Sequence, residues 1–165
     1  MATFTWSGTG NASTTTNWTP NGTPGASDTV VFGDSGGACN FDLASVLVIS
    51  STGTPSYTVT FANTVTGIKA FTHNFAISAG SAIALSFSGV ATLASGTRFI
   101  DITSNASITN PQNITYAFDA SSTAGARFDG GEYPNVELNK GQISFQYSAP
   151  TVSTNTTVSF RNVTL

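Results

Sequence analysis

The chain has 165 residues, of which 39% are hydrophobic and only 8% charged, with a formal net charge of −3. That length is enough for one ordinary domain with a real core. Twelve Phe, four Tyr and two Trp, together with the small net charge, exclude a disordered chain, whose signature is high charge and few aromatics.

Ser and Thr together fill about 48 positions, so hydroxyls and amides must cover the surface where charges usually do. Ser, Thr, Asn and Gly are poor helix formers, whereas Thr, Val, Phe, Tyr and Ile suit strands. With two Glu and two Lys in the whole chain, no window carries a solvent-exposed helical stripe. The composition reads as all-β. The basic residues Lys69, Arg98, Arg127, Lys140 and Arg161 are scattered, so the electrostatic footprint of a nucleic-acid partner is missing. The longest apolar runs, such as Val46-Leu47-Val48-Ile49, fall far short of the roughly 20 residues of a membrane helix. An outer-membrane barrel uses strands of about 9–11 residues, longer than the runs here, so no membrane insertion is expected. Met1 to Trp6 contains neither the basic nor the apolar stretch of a secretory signal. Cys39 is the lone cysteine. It allows no internal disulfide and reads as a small buried hydrophobe.

In chain order, residues 1–28 are turn-rich, with Gly8, Gly10, Asn17, Pro20, Asn21-Gly22 and Pro24-Gly25 as the punctuation. Phe4, Trp6 and Trp18 supply the apolar mass. The segment predicts a short strand followed by a folded loop ending at Asp28. Strand-like runs then recur over 29–165. Thr29-Val30-Val31-Phe32 comes first, and the Val46–Ile49 run predicts a strand buried on both faces or at a corner. Alternating sets follow at Tyr57/Val59/Phe61, at Phe71/His73/Phe75/Ile77 and at Ile83/Leu85/Phe87. Later runs are Phe99-Ile100 with Ile102, Ile114/Tyr116/Phe118, Val136/Leu138 and Ile143/Phe145/Tyr147. Val158/Phe160 and Val163/Leu165 close the chain. Period two sends side chains to alternate faces. Breaks about every 8–12 residues signal a sandwich, a barrel or a solenoid. No break is long or charged enough for a linker, so residues 1–165 read as one domain. Two architectures remain: a parallel β-solenoid of stacked coils with hydrogen-bonding residues at its turns, and an antiparallel β-sandwich or jelly roll. No strict repeat register is visible, and periodicity alone does not separate them.

The order Trp6-Ser7-Gly8, then Asn17-Trp18-Thr19-Pro20, then Gly22-Thr23-Pro24-Gly25-Ala26-Ser27-Asp28-Thr29-Val30-Val31-Phe32 resembles the opening of parallel β-helix surface proteins of bacteria and phages, including autotransporter-like passengers and adhesins. Cys39-Asn40-Phe41-Asp42 through Val46–Ile49 resembles the second strand of that opening. Tyr133 to Gly141 and Phe160 to Leu165 are similar to the later coils of the same family. The clear likeness covers residues 4–50. It implies a parallel β-solenoid in which residues 1–28 form a cap, with Trp6 and Trp18 covering the open end of the core. Passengers are long and secreted. A short Ser/Thr-rich β protein beginning at Met without a signal is more like a phage virion component, which leaves its host by lysis.

Candidate chemistry is sparse. His73 is the only histidine, with no Cys, Asp or Glu near it in sequence, and reads as a strand residue hydrogen-bonded locally. The densest acidic spot, Asp129-Gly130-Gly131-Glu132 beside Arg127, has neither an EF-hand nor a calcium-repeat pattern and reads as a turn. Catalytic, cofactor-binding and metal-binding residues are expected to be none. Trp6 and Trp18 carry a second reading, a sugar-stacking platform. Val158, Phe160, Val163 and Leu165 predict an interface edge, since strand character runs to the last residue. The expected function is a non-enzymatic structural protein on the virion surface, such as a capsid decoration, head fibre or tail-associated protein. Its partners would be copies of itself, or a major capsid or tail protein. The alternatives are a fragment of an extracellular bacterial adhesin or passenger, and a glycan-binding module.

Overall fold

The computed structural model describes the backbone of residues 1–88, 100–102, 108–128, 131–133, 135–146, 158–160 and 163–164, and the side chains of residues 1–71, 73–87, 108–110 and 112–117. The fold is all-β, without α-helix among the described residues, and its parallel sheets wind as a β-solenoid.

The first coil contains β1 (Thr3–Trp6), β2 (Gly10–Asn11), a single 3-10 turn at Thr15–Asn17, and β3 (Trp18–Thr19). The second contains β4 (Thr29–Phe32) and β5 (Cys39–Phe41), the third β6 (Val48–Ser51), β7 (Thr58–Phe61) and β8 (Val65–Ile68), and the fourth β9 (Ala70–His73), β10 (Ala76–Ala79) and β11 (Ile83–Ser88). Beyond them lie β12 (Ile100–Ile102), β13 (Ile108–Thr109), β14 (Ile114–Phe128), β15 (Gly131–Tyr133), β16 (Asn135–Gln146), β17 (Val158–Phe160) and β18 (Val163–Thr164).

Three faces result. The first stacks β1, β4, β6, β9 and β12, the second β2, β5, β7, β10 and β13, and the third β8, β11 and the start of β14. The long strand β14 turns a corner. Its residues 114–119 pair with β11 on the third face, and Ala126–Phe128 pair with β12 on the first. Every described strand pairing is parallel except β1 with β3. That sets aside the antiparallel sandwich.

Period-two alternation becomes columns because parallel neighbours sit in register about 4.8 Å apart. Inward residues therefore stack on inward residues: Phe4, Val30, Ile49 and Phe71 on the first face, and Cys39, Val59 and Ile77 on the second. All of these are buried. Aromatic rings fill the centre, with Phe32 and Phe75 at 4.9 Å and Phe41 and Phe61 at 5.2 Å between centroids. Each such side chain contributes roughly 1.5–3 kcal/mol by leaving water.

One sequence expectation shifts and another is narrowed to one of its alternatives. Stacked strands were expected from residue 29, yet β1 already pairs in parallel with β4 from Thr3↔Thr29 to Trp6↔Phe32. The cap is thus confined to the turn and β3 after the first two strands. The Val46–Ile49 run is the corner case: Val46 is buried ahead of β6, whereas Leu47 and Val48 are only partly covered.

Candidate functional site

Among the described side chains, bonds that join one coil to the next begin at the N-terminal end. Trp6 and Trp18 lie opposite one another in the antiparallel β1–β3 pair. Their rings meet edge to face at 4.9 Å and both are 0% exposed. The Trp6 Nε1–H donates to the Gly37 carbonyl at 2.9 Å, and the Trp18 Nε1–H to the Ala12 carbonyl at 2.6 Å. Both polar tips are therefore satisfied, as buried indoles require. A sugar-stacking platform needs an open ring face, and neither indole offers one.

Asn17 completes this end. Its carbonyl accepts from the Ser7 and Gly8 N–H groups at 3.0 and 3.1 Å. Its side-chain Nδ2 donates to the carbonyls of Thr9 and Asn11 at 3.1 and 3.0 Å, the outer edge of β2. Gly8 permits this because any Cβ there would run into the Asn17 side chain. The terminal coil of a solenoid otherwise leaves a row of unpaired backbone groups. Here β3 covers the edge of β1, and the Asn17 and Trp18 side chains cover the carbonyls of residues 9, 11 and 12. The sequence reading took Asn17 only as a turn residue and as part of the Asn-Trp pair. Nothing in a lone Asn announces a bidentate amide, and only the return of β3 along β1 places it.

Along the rod, polar residues join coil to coil. On the second face Asn11, Asn40, Thr60, Ser78 and Thr109 form one in-register outward column. The Asn40 Nδ2 donates to the Asn11 Oδ1 at 3.0 Å, and the Thr60 and Ser78 hydroxyls share a 2.9 Å bond. Three aspartates staple neighbouring coils. Asp28 accepts from the Ala2 N–H at 2.7 Å and the Gly25 N–H at 3.0 Å, and these two bonds hold its carboxyl below the ordinary 3.8. Asp34 accepts from the Thr54 N–H at 2.7 Å. Asp42 takes the Ser13 N–H at 2.8 Å and the Ser13 hydroxyl at 2.6 Å. Each carboxylate thus has a backbone donor from another turn of the chain.

His73 is fully buried between Phe71 and Phe75, with ring centroids 4.8 and 5.1 Å away. Its Nδ1 lies 3.0 Å from the Phe75 carbonyl, the local bond expected from the sequence. Cys39 is a free thiol at 2% exposure, and burial pushes its pKa up. Asp129 and Gly130 lie outside the described residues, while Gly131–Tyr133 is strand and not the turn read from the sequence. Of the expected interface edge, Val158 and Phe160 lie in β17, which pairs with β15, and Val163 lies in β18, which pairs with β16. Leu165 lies outside the described residues.

Comparison with protein-family models, with curated proteins and with solved structures gives no match.

Proposed function

We propose that the chain is a non-enzymatic structural protein of a virus particle, a capsid decoration, head fibre or tail-associated protein that works by docking and self-assembly as a rigid rod. The observation that carries this reading is the polarity of the rod. Its N-terminal end is sealed by Asn17, Trp18 and β3, so strand addition is blocked there, while parallel stacking continues through β16 and β18. Docking then falls to the outer strands β17, with Val158 and Phe160, and β18, with Val163, by backbone pairing with another copy or with a major capsid or tail protein. The virion surface as the location rests on the likeness of Trp6 to Phe32 to phage and bacterial surface proteins. The same likeness favours a second reading, a piece of a bacterial adhesin or passenger, whose gene would continue into a translocator.

Sedimentation over a wide concentration range, with negative-stain images, tests the docking. Concentration-dependent association is expected, and Val163→Pro, which removes a ladder donor, should suppress it. With 8% charged residues, association should also persist when salt screens exposed charges. A monodisperse monomer at the highest concentrations, identical in the variant, would overturn the reading.

A further inference from the structure

We infer that His73 is a proton-gated latch: neutral, its ring stays packed in the corner between β9 and β10 that Asn74 ties to the third coil, and protonated, it leaves the aromatic core and opens that corner. The ring closes the corner on itself with one bond, and Asn74 ties it to the third coil with two. The Nδ1–H of His73 donates to the Phe75 carbonyl at 3.0 Å. The Asn74 N–H donates to the Ser51 hydroxyl at 3.0 Å, and the Asn74 Nδ2 to the Gly53 carbonyl. A carbonyl only accepts, so the ring hydrogen sits on Nδ1 and Nε2 is a bare lone pair. Among the described residues that Nε2 is buried with no partner, as is the Asn74 Oδ1.

A second proton would have to enter at Nε2 and place a full charge among aromatic rings. Among the described side chains no counter-charge faces it. On β9 its neighbours are Phe71 and Thr72, and from β10 and the corner come Asn74, Phe75 and Ala76. The coil below supplies Ser51 and, through Phe75, Phe32. In that coil the Asp34 carboxylate lies against Gly53 and accepts from the Thr54 N–H. Above, β12 sets Ile102 opposite His73 and Asp101 opposite Thr72. Burial accordingly lowers the His73 pKa from 6.5 to about 4, against a smaller opposing effect of the Phe75 bond. The unfolded chain takes the proton first, so stability is full above pH 6.5 and falls as pH drops toward 4. Across that window the unfolding equilibrium constant rises by roughly two orders of magnitude.

Because the chain has one histidine, nitrogen NMR of the wild-type protein reports this ring alone. The expected result is a neutral ring, protonated on Nδ1, down to about pH 4. Acid should then speed hydrogen exchange at the Asn74 N–H before the Ser7 and Gly8 N–H groups of the sealed end. His73→Gln keeps a donor for the Phe75 carbonyl without a titrating ring, and its stability should stay level between pH 6.5 and 4 while the wild type falls. If that variant fails to fold, the wild-type titration and exchange order decide alone, with His73→Phe as a second non-titrating form. Titration of the ring near 6.5 in the intact fold, parallel pH profiles of wild type and variant, or earlier exchange at the sealed end would each overturn the latch.

Discussion

Replacing Asn17 by Ala removes two amide donors from the carbonyls of Thr9 and Asn11, at 3.1 and 3.0 Å. Its backbone carbonyl bonds to Ser7 and Gly8 remain available. Each net hydrogen bond contributes about 0.5–1.5 kcal/mol, and water can reach this end, so Asn17→Ala should cost about 1–2 kcal/mol. Asn17→Asp is the sharper test. It is nearly isosteric, but an ionised carboxylate only accepts and would face two carbonyl oxygens. Its cost should be larger, about 2–3 kcal/mol, and should shrink in acid as the introduced carboxyl regains a donor. Urea unfolding at several pH values measures both, with the change expected in the midpoint and not in the slope. If Asn17→Asp at neutral pH matches Asn17→Ala, the amide does not seal the edge of β2.

Gly53 has φ +68°, and a Cβ there would run into the Asp34 carboxylate. Gly53→Ala should therefore cost about 2–3 kcal/mol, from left-handed backbone and the disturbed Asp34–Thr54 bond, and its cost should fall when Asp34→Ala is already present. The Asp28 carboxyl is held below 3.8 by the Ala2 and Gly25 N–H groups. Its stabilisation is fully present above that value and is lost as pH falls through the lowered one. Asp28→Asn should flatten that acid limb in a pH series of melting temperatures. The limb lies below the His73 window, so the two effects separate.

The strands were legible because alternation survives in short runs. Ile83, Leu85 and Phe87 were read as one face, and all three are buried in β11. Phe71, His73, Phe75 and Ile77 also read as one alternating face, and all four are buried. They span two strands, however, because the corner at Asn74 keeps the inward phase while turning the chain. The coil repeat was not legible. Thr3 pairs with Thr29, Thr29 with Val48, Val48 with Ala70 and Phe71 with Ile100, so coils advance by roughly 19–29 residues and the corners absorb the difference. A fixed-period search misses such a stack. The Asn11–Asn40 and Thr60–Ser78 contacts were hidden for the same reason, since each depends on a register set by corner length. The aspartate staples were hidden too, because turns rich in Asp, Ser and Gly look alike whether or not a carboxylate reaches another coil.

The stack itself is tested most directly by interstrand NMR contacts between residues 58–61 and 76–79. Parallel pairing places Thr58 beside Ala76 and Thr60 beside Ser78, and the Thr60 column should continue to Asn40 on one side and Thr109 on the other. Contacts in that rising order are the expected result. Crossed contacts, Thr58 with Ser78 and Thr60 with Ala76, would mean antiparallel strands and would contradict the solenoid.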